Sequence, residues 1–259
     1  MVSLQKTNRM IDSIDITKIL FLDIECVSGQ PTFDDLDETF QELWTHKAKS
    51  LLAKKTSDPT GEEVEEYYKN RAAIYAEFGK IICISVGFVV KDAEGKLGVR
   101  LKSFSHQDEK VLLTDFCKML SGYYNNPNEH YLCGHNIKEF DIPYICRRLV
   151  VHQLDFPALL QLHGKKPWET KYLLDTLELW KFGDVKNFTS LKLLAALLGF
   201  PSPKDDIDGS DVGRVYWEEQ DIDRIAFYCE KDVLATVQLF LRYRRLPILV
   251  EEQVVHVGR

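Results

Sequence analysis

The sequence is poor in the features that mark secreted, membrane-bound or duplex-coating proteins. Its six cysteines (Cys26, Cys83, Cys117, Cys133, Cys146 and Cys229) form no C-x-x-C pair and sit mostly among apolar residues. That pattern argues against a zinc ribbon or a disulfide scaffold and suits reduced thiols in a cytosolic protein. The first 15 residues are polar and mixed in charge, without the apolar stretch of a signal peptide. No window approaches the ~18 uninterrupted apolar residues of a membrane span. The expectation is a soluble, cytoplasmic protein with no membrane partner.

Positive charge is scarce as well: 33 Lys and Arg stand against 40 Asp and Glu, a net charge of −7. A protein that coats long stretches of duplex needs many cations to neutralise phosphates, so that class is disfavoured. An enzyme that grips only a strand end needs few, and metal-binding carboxylates themselves make the formal charge more negative. The charge is also uneven. Residues 33–77 hold eleven acids and six bases, whereas residues 160–200 hold six lysines and four acids. If nucleic acid binds, the second stretch is the expected wall. Internal repeats, low-complexity tracts and Pro/Gly-rich linkers are lacking, and 45% of the 259 residues are hydrophobic. The expectation is therefore one domain over residues 1–259 with a sizeable core.

What is present is a mixed α/β pattern. Residues 18–25 carry apolar side chains on both parities, as a central strand buried on both faces does. Two helical patterns follow, at about 33–55 and 62–78, and read together as an acidic helical insertion after the first strand. Residues 80–90 and 98–104 are β-rich runs joined by the hairpin signal Asp92-Ala93-Glu94-Gly95. A helix is expected at about 109–124, a short strand at 130–134, and a helix at 139–150 with Pro143 in its first turn. Residues 173–179 fit strand or helix. Residues 190–198 read as a helix ending at Gly199, and 221–243 as a long amphipathic helix. This order implies an α/β domain with a mixed central sheet flanked by helices.

Three groups of residues carry chemistry. Asp23 and Glu25 are two apart on the first strand, so they project to the same side near its carboxyl end, where open α/β sheets place ligands. Tyr131-Leu132-Cys133-Gly134-His135-Asn136-Ile137-Lys138-Glu139-Phe140-Asp141 is a strand ending in Gly-His-Asn, then an acid at a helix start. Asp141 fits a helix N-cap equally well. In Tyr228-Cys229-Glu230-Lys231-Asp232 the tyrosine and the last aspartate are four apart and share a helical face.

Together these motifs resemble the DEDD exonuclease family: D-x-E on the first strand, N-x-x-x-F-D, and Y-x-x-x-D on a late helix. The tyrosine subtype is indicated because position 227, where the histidine subtype would carry its histidine, is Phe227. Two further stretches, Gly134 through Tyr144 and Ser202 through Val212, resemble stand-alone relatives of the proofreading exonuclease domain of family-B DNA polymerases. The resemblance implies an RNase H-like fold and metal-dependent 3′-to-5′ hydrolysis of single-stranded DNA to nucleoside 5′-monophosphates. With no polymerase domain following in the sequence, covalently coupled proofreading is not expected.

By the same resemblance Asp23, Glu25, Asp141 and Asp232 would hold two divalent cations, Mg²⁺ or Mn²⁺. Asp23 would bridge them, Asp232 and Glu25 would complete the first site, and Asp141 would act through water on the second. Hard oxygen ligands suit those ions, and the sequence offers no convincing His or Cys cluster for zinc. Tyr228 would orient the attacking water, since a phenol with a reference pKa near 10 is a poor base at neutral pH. Asn136 and Phe140 would contact the terminal nucleotide, with core packing an equal reading for Phe140. His135 reads as a hydrogen-bonded turn, Asp175 as a helix cap or solvated acid, and Lys165, Lys166, Lys171 and Lys186 as surface or phosphate contacts. The loop from Asp205 to Gly209 lacks full EF-hand spacing. An RNase D-like exoribonuclease, which uses the same tyrosine arrangement, and a catalytically silent nucleic-acid-binding module are the competing functions.

Overall fold

The computed structural model describes residues 10–53, 59–185, 188–202 and 207–258. In chain order the strands are β1 (Ile19–Ser28), β2 (Gly79–Lys91), β3 (Leu97–Ser105), β4 (Tyr131–Gly134), β5 (Leu173–Asp175) and β6 (Val254–His256). The helices are α1 (Met10–Ser13), α2 (Glu38–Leu52), α3 (Gly61–Arg71), α4 (Glu109–Tyr123), α5 (Asp141–Val151), α6 (Thr176–Lys181), α7 (Leu191–Leu198), α8 (Val212–Arg214) and α9 (Ile222–Tyr243). The six strands form one sheet in the order β5-β4-β1-β2-β3-β6. β2 runs antiparallel to both of its neighbours, and every other pairing is parallel. This is the mixed central sheet expected, and β1 to β5 follow the RNase H-like order.

The two parities of β1 fill two different cores. Leu20, Leu22 and Ile24 pack with Leu113 and Phe116 of α4 and with Ile142 and Ile145 of α5. Ile19 and Phe21 face the other way, against Val233, Val237 and Phe240 of α9, and the Phe21 and Phe240 rings meet edge to face at 5.6 Å. Burying each such side chain is worth about 1.5–3 kcal/mol, so the strand is held from both sides. Gly87 lets α9 come close, since a Cβ there would lie 2.8 Å from Val233 Cγ1. Continuing the odd parity puts Asp23 and Glu25 on the α9 side of the sheet.

β1 and β2 are not in register throughout. Glu25 pairs with Cys83 and Cys26 with Ile81, leaving Ile82 as an extra residue on β2. Ile82 and Cys83 both join the cluster that includes Ile225 and Cys229 of α9. The Ile81 amide donates to Glu109 Oε1 at 2.7 Å.

Several boundaries differ from the sequence pattern. The first insertion helix begins at Glu38 rather than near Phe33, because Thr32 and Asp35 close a turn and Asp37 caps the helix by accepting from the Phe40 amide. Its expected end at Lys55 lies outside the described residues. The second stops at Arg71 rather than running to Phe78; a 3₁₀ turn and a further turn then carry the chain into β2. The two helices share a core of their own, Trp44, Ala48, Val64, Tyr68 and Ala72, in which Trp44 Nε1 donates to the Val64 carbonyl. Residues 173–179 are strand and then helix, changing at Asp175. β6, which pairs with Val99–Leu101, has no counterpart in the sequence reading. No described helix is long and apolar enough to cross a membrane.

Candidate active site

The site grows from the carboxyl end of β1. Asp23 and Glu25 each offer a carboxylate oxygen, and Cys229 its sulfur, such that the three atoms lie within 4.8 Å of one another. Cys229 had not been singled out from the sequence. It stands one residue after Tyr228 on α9, and its thiol donates to the Asp23 carbonyl at 3.4 Å and lies 3.5 Å from Asp23 Oδ2. Only the position of Cys229 inside Y-x-x-x-D could have drawn attention to it.

Asp141 approaches from the first turn of α5. The N-cap of α5 is Phe140 and makes no side-chain cap bond, so capping is not what holds Asp141 there. Its carboxylate is 4% exposed and accepts from backbone amides, including that of Ile24 on β1. The tight turn before it depends on Gly134, where a Cβ would meet Ile137 Cβ at 2.8 Å and the Leu22 carbonyl at 2.9 Å. Asp232 comes from α9, one turn after Tyr228, and the two side chains are hydrogen-bonded.

The electrostatics report the same convergence. Burial first, then Asp232, Asp141 and Glu25, raise the Asp23 carboxyl well above its ordinary range. Glu25 is likewise raised by burial, with Asp232 and Asp141 adding to it. Asp141 is pushed up to about 7, chiefly by burial, although backbone hydrogen bonds oppose the shift. Tyr228 is raised far above an ordinary phenol by burial and by Asp232, Glu25 and Asp23, so its hydroxyl keeps its proton. Among the described residues, Asp23, Glu25 and Asp141 form no ion pair with Lys, Arg or His. Like charges about 4 Å apart repel by ~4 kcal/mol even at an effective dielectric near 20, so ionising this group together calls for cations. Hard carboxylate oxygens fit Mg²⁺ or Mn²⁺ as that counter-charge, while the neighbouring thiol adds a softer donor.

The remaining candidates lie in the turn before α5 and on its neighbours. Asn136 adopts a left-handed backbone, φ 67°, and its amide donates to Asp175 Oδ1 at 3.0 Å. Asp175 Oδ2 accepts the Lys138 amide at 3.1 Å, and Asp175 also caps α6 through Leu177 and Glu178. It is thus a buried clamp on the 136–138 turn and not a solvated acid. His135 is a hydrogen-bonded turn residue, bonded to Thr176 and Thr189. Phe140 is half-buried, packed beside Tyr144 at 5.6 Å and against the core below α5. Lys165 lies against Tyr172 and Lys166 over Trp168. Lys171 is exposed. Lys186, like Asp205 and Asp206 of the acidic loop, lies outside the described residues.

Residues 74–255 match the model of a family described as "Predicted 3'-5' exonuclease related to the exonuclease domain of PolB". The match takes in Asp141, Tyr228 and Asp232 and begins after Asp23 and Glu25. No curated protein sequence matches the chain. Among solved structures the chain is similar to the family B DNA polymerase from the hyperthermophilic archaeon Pyrobaculum calidifontis, with 14% identity and a TM-score of 0.48 over 87% of this chain and 24% of the polymerase. The chain thus spans about a quarter of that polymerase's length. With the matched segment exceeding two thirds of its residues, the chain belongs to the family of predicted 3′-5′ exonucleases related to the exonuclease domain of PolB.

Proposed function

We propose that the protein is a metal-dependent 3′-to-5′ exonuclease of the DEDD tyrosine subtype that removes nucleoside 5′-monophosphates from single-stranded DNA, working as one domain with a helical insertion. The observation that carries this reading is that Asp23 and Glu25 of β1 offer carboxylate oxygens within 4.8 Å of each other, while Asp141 of α5 and Asp232 of α9 each help to raise the Asp23 carboxyl.

Two Mg²⁺ or Mn²⁺ ions held by those carboxylates would acidify the attacking water and neutralise charge on the attacking and leaving oxygens of an in-line displacement. Asp23, whose carboxyl is acted on by all three of the others, would hold the ions together with Glu25 and Asp232, and Asp141 would act from the α5 side. Tyr228, held protonated and hydrogen-bonded to Asp232, orients the water and does not remove its proton. Asn136 and Phe140, in the turn leading to Asp141, would meet the terminal sugar and base.

The test is digestion of matched single-stranded DNA and RNA, labelled at the 5′ end, with Mg²⁺ or Mn²⁺ and with or without chelator. Stepwise shortening of DNA from the 3′ end, stopped by chelator, is the expected outcome. A strong preference for RNA would overturn the choice of substrate, and no shortening of either strand would leave a nucleic-acid-binding module.

A further inference from the structure

Resting on the nuclease reading, we infer that the ring of Phe188 stacks on a base of the single strand near its 3′ end, and that His135 is the positioning residue that holds this ring beside the site. Phe188 is 67% exposed, an expensive place for a large apolar ring with no partner to cover it. It is nonetheless not loose. Its ring meets the His135 ring edge to face at 6.3 Å. His135 Nε2–H donates to the carbonyl of the next residue, Thr189, at 2.9 Å. His135 Nδ1 lies 2.9 Å from Thr176 Oγ1 on α6, directly after Asp175.

Asp175 in turn clamps the amides of Asn136 and Lys138. Phe188 and the turn that leads to Asp141 are therefore parts of one hydrogen-bonded unit. Burial lowers the His135 pKa, which keeps the ring neutral and the donor to Thr189 in place. Phe188 thus touches the residue before Asn136 and still leaves most of its ring open.

The chemistry of the occupant follows from three features. Asp175, which clamps the Asn136 amide, also acts on the Asp141 carboxyl, so the unit that holds Phe188 adjoins the candidate active site. Phe188 lies in the 160–200 stretch, which has an excess of lysines in a chain of net charge −7. The open group is an aromatic face, which stacks on any base and so suits an enzyme that trims ends regardless of sequence. A single strand, whose bases are free to splay, meets all three; duplex does not offer its base faces.

The experiment compares kcat/KM of the full chain on an intact single strand and on strands lacking a base at each of the last three 3′ positions in turn. The wild type loses about tenfold at one of these positions, the scale expected of a single base–aromatic stack. Phe188→Ala is slower on the intact strand by a similar factor and is indifferent to the missing base at that position, while Phe188→Trp restores the sensitivity. His135→Ala behaves like Phe188→Ala, whereas His135→Gln, whose amide can still donate to the Thr189 carbonyl, keeps the sensitivity. If the wild type shortens DNA but Phe188→Ala retains both the rate and the full abasic penalty, the stacking assignment is wrong while the nuclease reading stands. If the wild type shortens no strand, both fall together.

Discussion

A single buried acid on α4 and a buried group of acids beginning on β1 lie on either side of the β1–β2 offset, and the protein treats them in opposite ways. Glu109, 5% exposed at the start of α4, is saturated from within: Arg148 Nε and Nη2 donate to it, His152 Nε2 lies 2.7 Å away and the Ile81 amide supplies a further bond. Asp23, Glu25 and Asp141 receive amide and thiol donors but no cationic side chain among the described residues. The first arrangement is a finished structural joint between α4, α5 and β2. The second has no cationic side chain among the described residues to balance its ionised form, which is what a site for external cations requires.

The contrast can be broken most sharply by substitution. Asp23→Ala is expected to cost at least the roughly 10²–10³-fold in kcat that one preorganised electrostatic group supplies, with no loss of melting temperature in metal-free buffer because a repulsive charge is removed. Retention of wild-type turnover would strike Asp23 from the ligand set. Glu109→Ala should do the reverse: removing one partner of a buried pair costs about 3–5 kcal/mol of stability, read from denaturant unfolding, while activity per folded molecule is kept.

A smaller effect comes from pH. The Asp141 carboxyl is raised from its ordinary 3.8 to about 7, so the folded chain holds a proton that the unfolded chain has already released. Its contribution to stability is therefore present at low pH and is lost as pH rises toward 7. The metal-free melting temperature should fall from about pH 5 to about pH 8, and Mn²⁺ should raise it more at the upper end; an equal increment at both would mean the ion does not replace that proton. Smallest is Tyr228→Phe, which keeps the ring and loses the hydroxyl bonded to Asp232. A fall in kcat of about 10–100-fold is expected, the scale of an orienting partner, and a loss as large as that of Asp23→Ala would make Tyr228 more than an orienter.

Much of this was legible because it depends on short periods. The spacing of two in Asp23-Ile24-Glu25 and of four from Tyr228 to Asp232 fixes which side chains share a face once strand and helix are recognised. The apolar residues on both parities of β1 gave its central position for the same reason. Contacts through space were not legible. Nothing in the order of residues shows that Cys229 reaches Asp23 across 206 positions, or that Asp175, legible as a helix cap, also clamps the 136–138 turn. β6 has three residues, too few to show an alternation, and is held by β3 rather than by its own pattern. Helix starts shifted where Asp37 could satisfy amides that Phe33, apolar and without an acceptor, could not.

The extra residue at Ile82 lies between Glu109 and the acids of β1. On one side the offset lies opposite Glu25; on the other it turns the Ile81 amide out of the ladder and toward Glu109. Ile82 and Cys83 both face α9 while Ile81 and Ile84 face the other core, so the extra residue adds a side chain beneath Glu25 without reversing the strand beyond it. A β2 without it would still reach Gly79 with the same facing, but α9 would rest on one side chain fewer just where the acids of β1 gather.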